Sequence, residues 1–169
     1  MNIFYLDKDP QQAAQYHCDK HVVKMILESI QLLCSAHHLY PSGKEIKIMK
    51  LTHKNHPSAI WTRESLSNYN WLLDLTKELC KEYTYRYGKH HKCEQEYLQT
   101  LSDVKPDIPD IGLTPPRQAM PEIYKINSES IDDAIEAYRN YYFFEKNHMF
   151  VWKERDVPEW VKEMQSLFE

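Results

Sequence analysis

The stretch that decides the fold runs from Asp9 to Tyr40 and reads DPQQAAQYHCDKHVVKMILESIQLLCSAHHLY. Its beginning is typical of a helix start, because Asp9 can cap free backbone N–H groups, Pro10 fits the first turn, and Gln12 completes the cap. The sequence Tyr-Pro-Ser-Gly at residues 40–43 ends the pattern. We therefore predict one uninterrupted helix from about residue 10 to His38.

This predicted helix carries one polar stripe on an otherwise apolar surface. At about 100° per residue, the polar side chains fall within a narrow arc and apolar side chains fill most of the rest. A helix that is apolar around most of its circumference lies deep in its domain. The stripe is then either a solvated face or one wall of a pocket that faces phosphate groups. Its members are His17, Lys20, His21, Lys24, Glu28, Gln31 and Ser35.

A second long helix is predicted from Pro57 to about Tyr87. Asn55-His56-Pro57 is typical of a helix start, and Gly88 is typical of the residue that follows a helix end. Ser65, Asn68 and Arg86 fall inside the apolar sector of this helix. Buried polar groups need partners, so these side chains either tie helices together or line a ligand site.

The rest of the chain is predicted to be short helices around one long irregular segment. Residues 3–7 are a short extended start, and helices are expected at about 89–102, at about 130–148 and after residue 156. Residues 103–127 contain five prolines, and a long loop of this kind inside a compact domain is often a functional lid. We expect one mostly α domain over residues 1–169: a compact bundle with two long central helices and a Pro-rich loop.

Composition excludes several classes of protein. With 12% aromatic residues the chain is not disordered, and 3 glycines are too few for a Rossmann sheet or a many-turned β-sandwich. No apolar run is long enough to cross a membrane, and the first residues do not resemble a signal peptide. Four scattered cysteines indicate reduced thiols and a cytoplasmic location, that of a host cell if the protein is viral. The net charge of −4 argues against unspecific binding of long duplex DNA.

The nine histidines raise the question of a metal site. His17 and His21 have the i, i+4 spacing of two zinc ligands on a helix. Lys20 and Lys24 share their face, however, and would repel a dication. We expect no metal and no cofactor, and keep a zinc-binding structural protein as an alternative.

Phosphate recognition fits these residues better. Lysines and histidines on the first helix, the start of the second helix and its basic end could surround an anion, because a helix N-terminus also attracts negative charge. Aromatic side chains between such cations suit nucleotides or single-stranded bases. The predicted ligand-binding residues are His17, Lys20, Lys24, His53, Asn55, His56, Arg63, Asn68, Arg86, Lys89, Arg117 and Gln118, of which Arg117 and Gln118 could close over the pocket.

Three segments in order carry a family resemblance. The run AAQYHCDKHVVK at residues 13–24, Asn-His-Pro at residues 55–57 followed by Trp61, and CKEYTYRYG at residues 80–88 resemble the pyrimidine-dimer DNA glycosylases of the phage endonuclease V type, most closely their uncharacterised phage and bacterial relatives. The resemblance covers about residues 1–92. It implies a compact helical domain whose terminal amine attacks a sugar carbon to form an imine. It also implies an assisting glutamate on the first helix.

Carried over by position, the resemblance implies that Lys20 and Lys24 hold DNA phosphates. His21 falls where the glutamate is expected, and Asp19 and Glu28 are the nearest acids. We expect Met1 to be retained because Asn2 is bulky. The predicted catalytic residues are therefore His21, Glu28 and Met1.

The predicted function is binding of a phosphate-bearing nucleotide or nucleic acid in a basic, aromatic-lined pocket. Cleavage of a damaged or modified base, as by a DNA glycosylase, is one form of this function. A non-enzymatic protein that sequesters a small nucleotide signal is the other. A small or single-stranded partner is favoured over a long duplex. No membrane partner is expected, and a homo-oligomer is compatible with these features.

Overall fold

A computed structural model describes residues 1–168 of the protein, and all regular secondary structure in that range is helical. The predicted mostly α fold with two long central helices is confirmed, since the helix Asp19–Leu39 packs along the helix Leu66–Tyr87. A π turn at Glu94–Leu98 and 3-10 turns at Glu122–Tyr124 and Asn147–Met149 complete the regular structure. The helices are α1 (Pro10–Tyr16), α2 (Asp19–Leu39), α3 (Pro57–Glu64), α4 (Leu66–Tyr87), α5 (Gln99–Asp103), α6 (Ile131–Lys146) and α7 (Glu159–Phe168).

The first predicted helix is divided into α1 and α2. His17 and Cys18 are extended, with ψ of 133° and 162°. Groups from distant parts of the chain bond the backbone at this break: Tyr142 Oη accepts from the Cys18 N–H at 2.9 Å, and Arg86 donates to the His17 carbonyl at 2.8 Å. The prediction of one uninterrupted helix was therefore wrong, because these contacts replace bonds within the helix.

The second predicted helix is also divided. Ser65 is extended, with φ of −153° and ψ of 145°, and separates α3 from α4. Its Oγ donates to Asp110 Oδ1 at 3.1 Å, and the Leu66 N–H donates to the Pro109 carbonyl at 3.2 Å. The predicted end is accurate, since Gly88 has φ of 72° and follows Tyr87. A glycine adopts this left-handed conformation without strain.

Hydrogen bonds connect the Pro-rich segment at residues 103–127 to the helices. Trp61 Nε1 donates to the Thr114 carbonyl at 3.0 Å, Asn68 Nδ2 to Thr114 Oγ1 at 2.7 Å, and Tyr138 Oη to the Arg117 carbonyl at 2.5 Å. Asn68 therefore ties elements together. Whether the segment acts as a lid stays a prediction, as does the single domain.

The first residues of the chain lie in the interior. Residues 3–6 form no helix or strand, and the Leu6 N–H donates to the Phe4 carbonyl at 3.1 Å; each of these residues is at most 4% exposed. The Tyr5 ring stacks on Trp71 with ring centroids 4.6 Å apart, and Phe4 stacks on His21 at 4.7 Å. Because these residues run through the interior, the N-terminus of the chain lies next to the middle of α2. No helix in residues 1–168 is both long and apolar enough to cross a membrane.

Candidate active site

The amine of Met1 contacts a carboxylate on α2. Its nitrogen lies 2.8 Å from Glu28 Oε1, and the two side chains are only 4% and 9% exposed. The other carboxylate oxygen, Oε2, is buried and has no hydrogen-bond partner within residues 1–168. The two groups are therefore close enough to exchange a proton.

Asn2 holds the start of the chain in this position. Its Nδ2 donates to the Ala119 carbonyl at 2.9 Å, and its Oδ1 accepts from Ser58 Oγ at 3.1 Å and from the Ile3 N–H at 2.8 Å. The first turn of α3 and the Pro-rich segment thus both fix the backbone next to the amine. A reactive group needs such anchoring, because a small displacement of the reacting atoms strongly lowers the reaction rate.

His56 lies at the start of α3, close to this pair. Its Nδ1 accepts from the Ser58 N–H at 3.0 Å and so caps the helix. Burial lowers the pKa of His56, and the positive amine of Met1 lowers it further. His53 has φ of 51°, an unusual backbone conformation for a side-chain-bearing residue, which often marks functional sites. His53 and Asn55 are exposed.

His21 occupies a different position from Glu28. Its Nδ1 is 2.9 Å from Tyr142 Oη, and the side chain is 3% exposed. Burial lowers its pKa to about 3, assisted by nearby His17 and Lys146, so the ring is neutral near neutral pH. The carboxylate that meets the amine is thus on Glu28, two helical turns after His21. The sequence spacing of seven residues on one helix face was the signal for this.

Two predicted ligand-binding residues are interior. His17 is fully buried with Nδ1 2.6 Å from the Ala13 carbonyl, and burial lowers its pKa to about 4. Arg86 is 2% exposed and contacts Glu82 Oε2 at 2.7 Å and Asp19 Oδ1 at 3.0 Å, besides two carbonyls. Neither group reaches a ligand at the surface of this structure. Glu82, the buried partner of Arg86, was missed by the sequence analysis, although its i, i+4 spacing indicated the pair.

The remaining predicted cations differ in their exposure and in whether they form ion pairs. Lys20, Lys24 and Lys89 are exposed and form no ion pair within residues 1–168. Arg63 is half-buried. Arg117 is exposed but paired with Glu64.

Gln118 works within the Pro-rich segment. Its side-chain amide makes two bonds of 2.8 Å to the backbone of Ile126. Gln118 also lines an open groove of about 540 Å³ beside Pro57 and Arg117. Within residues 1–168 no three His, Cys, Asp or Glu side chains are grouped closely enough to hold a metal ion.

The terminal amine is held against the buried Glu28, and exposed lysines lie on the same helix. These are the groups that an imine-forming lyase needs. Residues 1–95 match the family model described as pyrimidine dimer DNA glycosylase, and the chain belongs to that family. Membership supports a DNA glycosylase-like function on damaged DNA. No curated protein and no solved structure matches the chain.

Proposed function

We propose that the protein is a DNA glycosylase that uses the Met1 amine as its nucleophile and Glu28 as its proton-handling group. The observation that carries this proposal is the buried 2.8 Å contact between the amine nitrogen and Glu28 Oε1. Both residues fall in the part of the chain that matches the family model. Two oppositely charged groups out of water interact strongly, so the contact holds the amine in one orientation.

The reaction follows from these two groups. The amine must lose a proton before its lone pair can attack, and the Glu28 carboxylate is the adjacent acceptor. Attack on the sugar carbon C1′ forms the carbon–nitrogen bond and breaks the glycosidic bond, whose electron pair leaves with the base. The attached nitrogen then gives a second proton to the departing base, which leaves as a neutral molecule. The freed lone pair on nitrogen breaks the bond from C1′ to the ring oxygen, Glu28 returns its proton to that oxygen, and a protonated imine between Met1 and the sugar remains. The negative charge of the largely buried Glu28 carboxylate would stabilise the positive charge that develops on the sugar.

Lys20 and Lys24 supply the phosphate contacts in this proposal. They are exposed on α2, the helix that carries Glu28. His53 and Asn55 lie exposed just before α3, whose first turn anchors Asn2. Because the whole chain has a net charge of −4, this basic region is local. We therefore propose that this region binds a short or single-stranded stretch of DNA around the damaged base. Its affinity for DNA should fall steeply as the salt concentration rises.

Borohydride trapping tests the proposal. An oligonucleotide with one pyrimidine dimer is incubated with the protein and sodium borohydride, and intact-mass spectrometry measures the covalent adduct and locates it on Met1. We expect an adduct with the unaltered chain and at least a hundredfold slower trapping with Glu28→Gln, because general acid–base groups contribute about that much or more. Glu163→Gln, an exposed glutamate on α7, is the matched control and should trap normally.

A second variant separates the amine from the carboxylate. One glycine added before Met1 moves the amine away from Glu28 and should abolish trapping while the fold is kept. An absence of adduct on every lesion tested, or equal trapping by the extended chain, would refute the imine mechanism. A nucleotide that raises the melting temperature and is recovered unchanged, with no adduct, would instead support a non-enzymatic nucleotide-binding protein.

A further inference from the structure

The start of α3 is capped by a side chain that can gain a proton in mild acid. The ring nitrogen Nδ1 of His56 accepts a hydrogen bond from the Ser58 N–H at 3.0 Å. A ring nitrogen accepts only through a lone pair, so Nδ1 carries no proton and the neutral ring has its proton on Nε2. The usual caps of a helix start are the oxygens of Ser, Thr, Asp or Asn, none of which gains a proton near neutral pH.

Ser58 connects this helix start to the first residues of the chain. While its N–H donates to His56, its Oγ donates to Asn2 Oδ1 at 3.1 Å. The same Oδ1 accepts from the Ile3 N–H at 2.8 Å and so holds the backbone next to Met1. Ser58 is only 2% exposed, so water does not readily replace either of its contacts. One continuous series of hydrogen bonds therefore connects the His56 ring to the residue that follows the amine.

The charged groups that act on the His56 ring come from three parts of the chain. They are the Met1 amine, Glu28 on α2 and His53 in the loop before α3. Burial lowers the pKa of His56 most, the amine and His53 lower it further, and Glu28 raises it. The net shift is downward from the ordinary 6.5, so the ring is neutral at pH 8 and gains a proton only in mild acid. The residue is half-buried, which leaves it open to solvent protons.

We propose that His56 is a positioning residue that holds the Met1 amine in place only while its ring is neutral. The consequence for the reaction rests on the proposed glycosylase function. A protonated ring has a proton on each nitrogen and no lone pair left for the Ser58 N–H. The cap is then lost, the first turn of α3 loosens, and Ser58 no longer holds Asn2 in the position that orients the amine against Glu28.

Asparagine at position 56 separates capping from titration. Because Asn caps helices well and does not ionise, His56→Asn should trap the damaged oligonucleotide at pH 8 as fast as the unaltered chain. Trapping is measured from pH 8 to pH 5 with sodium cyanoborohydride, which tolerates mild acid. Protonation of the amine affects both chains alike and cancels in the ratio of their rates. We expect the rate of the unaltered chain relative to His56→Asn to fall about threefold or more by pH 5.

Two further variants distinguish positioning from a purely structural cap. His56→Ala has no cap and should trap about tenfold more slowly than the unaltered chain at pH 8, with rates referred to folded protein. His90→Asn is the matched control, because His90 is exposed, contacts Glu94 at 2.8 Å and lies outside this series of bonds. Its rate relative to the unaltered chain should not change with pH. Adduct formation with a pH-independent ratio for His56→Asn, or normal trapping by His56→Ala, would overturn the role of His56 and leave the glycosylase proposal intact.

NMR tests the same coupling without any reaction. As the pH is lowered, the Ser58 backbone amide and the Asn2 side-chain amide should shift together with the His56 ring signals. These shifts should be absent in His56→Asn. An Asn2 signal that does not follow the ring would overturn the inference whether or not an adduct forms. An absence of adduct at every pH, with the shifts still coupled, would refute the glycosylase proposal and still support control of the chain start by His56.

Discussion

Replacing Arg86 with methionine should remove a large part of the free energy of unfolding. Arg86 was a candidate ligand-binding residue in the sequence, but its guanidinium lies inside the protein, 2% exposed. It contacts Glu82 Oε2 at 2.7 Å and Asp19 Oδ1 at 3.0 Å. It also donates to the carbonyls of Gln15 and His17 at 3.0 and 2.8 Å. Methionine keeps much of the length and removes every one of these bonds.

The expected loss follows from what remains unpaired. Removing one partner of a buried ion pair costs about 3–5 kcal/mol because a charge is left in the interior. Glu82 keeps a contact to Arg155 at 2.9 Å, and Asp19 keeps one to the Lys153 N–H at 2.9 Å, which limits the loss. Two unpaired carbonyls at the junction of α1 and α2 add to it. We expect the free energy of unfolding to fall by about 4 kcal/mol, against a total of about 5–15 kcal/mol for a domain.

Urea denaturation followed by far-UV circular dichroism measures this loss, with DNA affinity measured separately on the folded fraction. Arg63→Met is the matched control, since Arg63 is half-buried on α3 and forms no ion pair within residues 1–168. It should change stability by less than about 1 kcal/mol. A loss below about 1 kcal/mol in Arg86→Met, together with weakened DNA binding, would show that Arg86 faces a ligand and that the interior assignment is incorrect.

Three further outcomes are expected. Burial lowers the pKa of His17 to about 4 from the ordinary 6.5, so the unfolded chain binds a proton that the folded chain rejects, and stability is lost as pH falls from 6.5 toward 4. Urea titrations should show about 2 kcal/mol from this residue between pH 7 and pH 5, absent in His17→Gln. Lys24→Ala should weaken binding of a damaged oligonucleotide and reduce the salt dependence by about one phosphate contact, whereas the exposed Lys162→Ala should not. Tyr142→Phe removes the acceptor of the Cys18 N–H and should cost about 1–3 kcal/mol in thermal unfolding; an unchanged melting temperature would show that Tyr142 does not stabilise the junction of α1 and α2.

The ends of several helices could be predicted because the residues that start or end a helix act on the backbone next to them in the sequence. Asp9 accepts from the Gln11 N–H, Pro57 lies at the first position of α3, and Gly88 follows α4 in the left-handed conformation. The two breaks could not be predicted in this way. The backbone at Cys18 bonds Tyr142, and Ser65 bonds Asp110, so each break is stabilised by a residue far along the chain.

The candidate site was predictable in its residue types and less so in its arrangement. Met1 and Glu28 were both named from the sequence, whereas their contact depends on the path of residues 3–6 through the interior. His17 and Arg86 illustrate the opposite error. A cation on a polar stripe looks available to a ligand, but the carboxylates and carbonyls that engage Arg86 come from elements that helical periodicity does not relate.

The buried start of the chain also affects how the protein folds. Asn2 bonds Ala119, 117 positions away, and Phe4 and Tyr5 pack against Tyr141 and Tyr138. Helical proteins usually fold fast because their contacts are local. Here the buried first residues make contacts that close a loop of more than a hundred residues. During synthesis, residues 1–6 emerge first, yet their packing is incomplete until Ala119 and the α6 residues Tyr138 and Tyr141 have been made. The residues translated first therefore complete their native contacts only late in synthesis, and a chain ending before α6 lacks the Tyr138 and Tyr141 rings that pack against Tyr5 and Phe4.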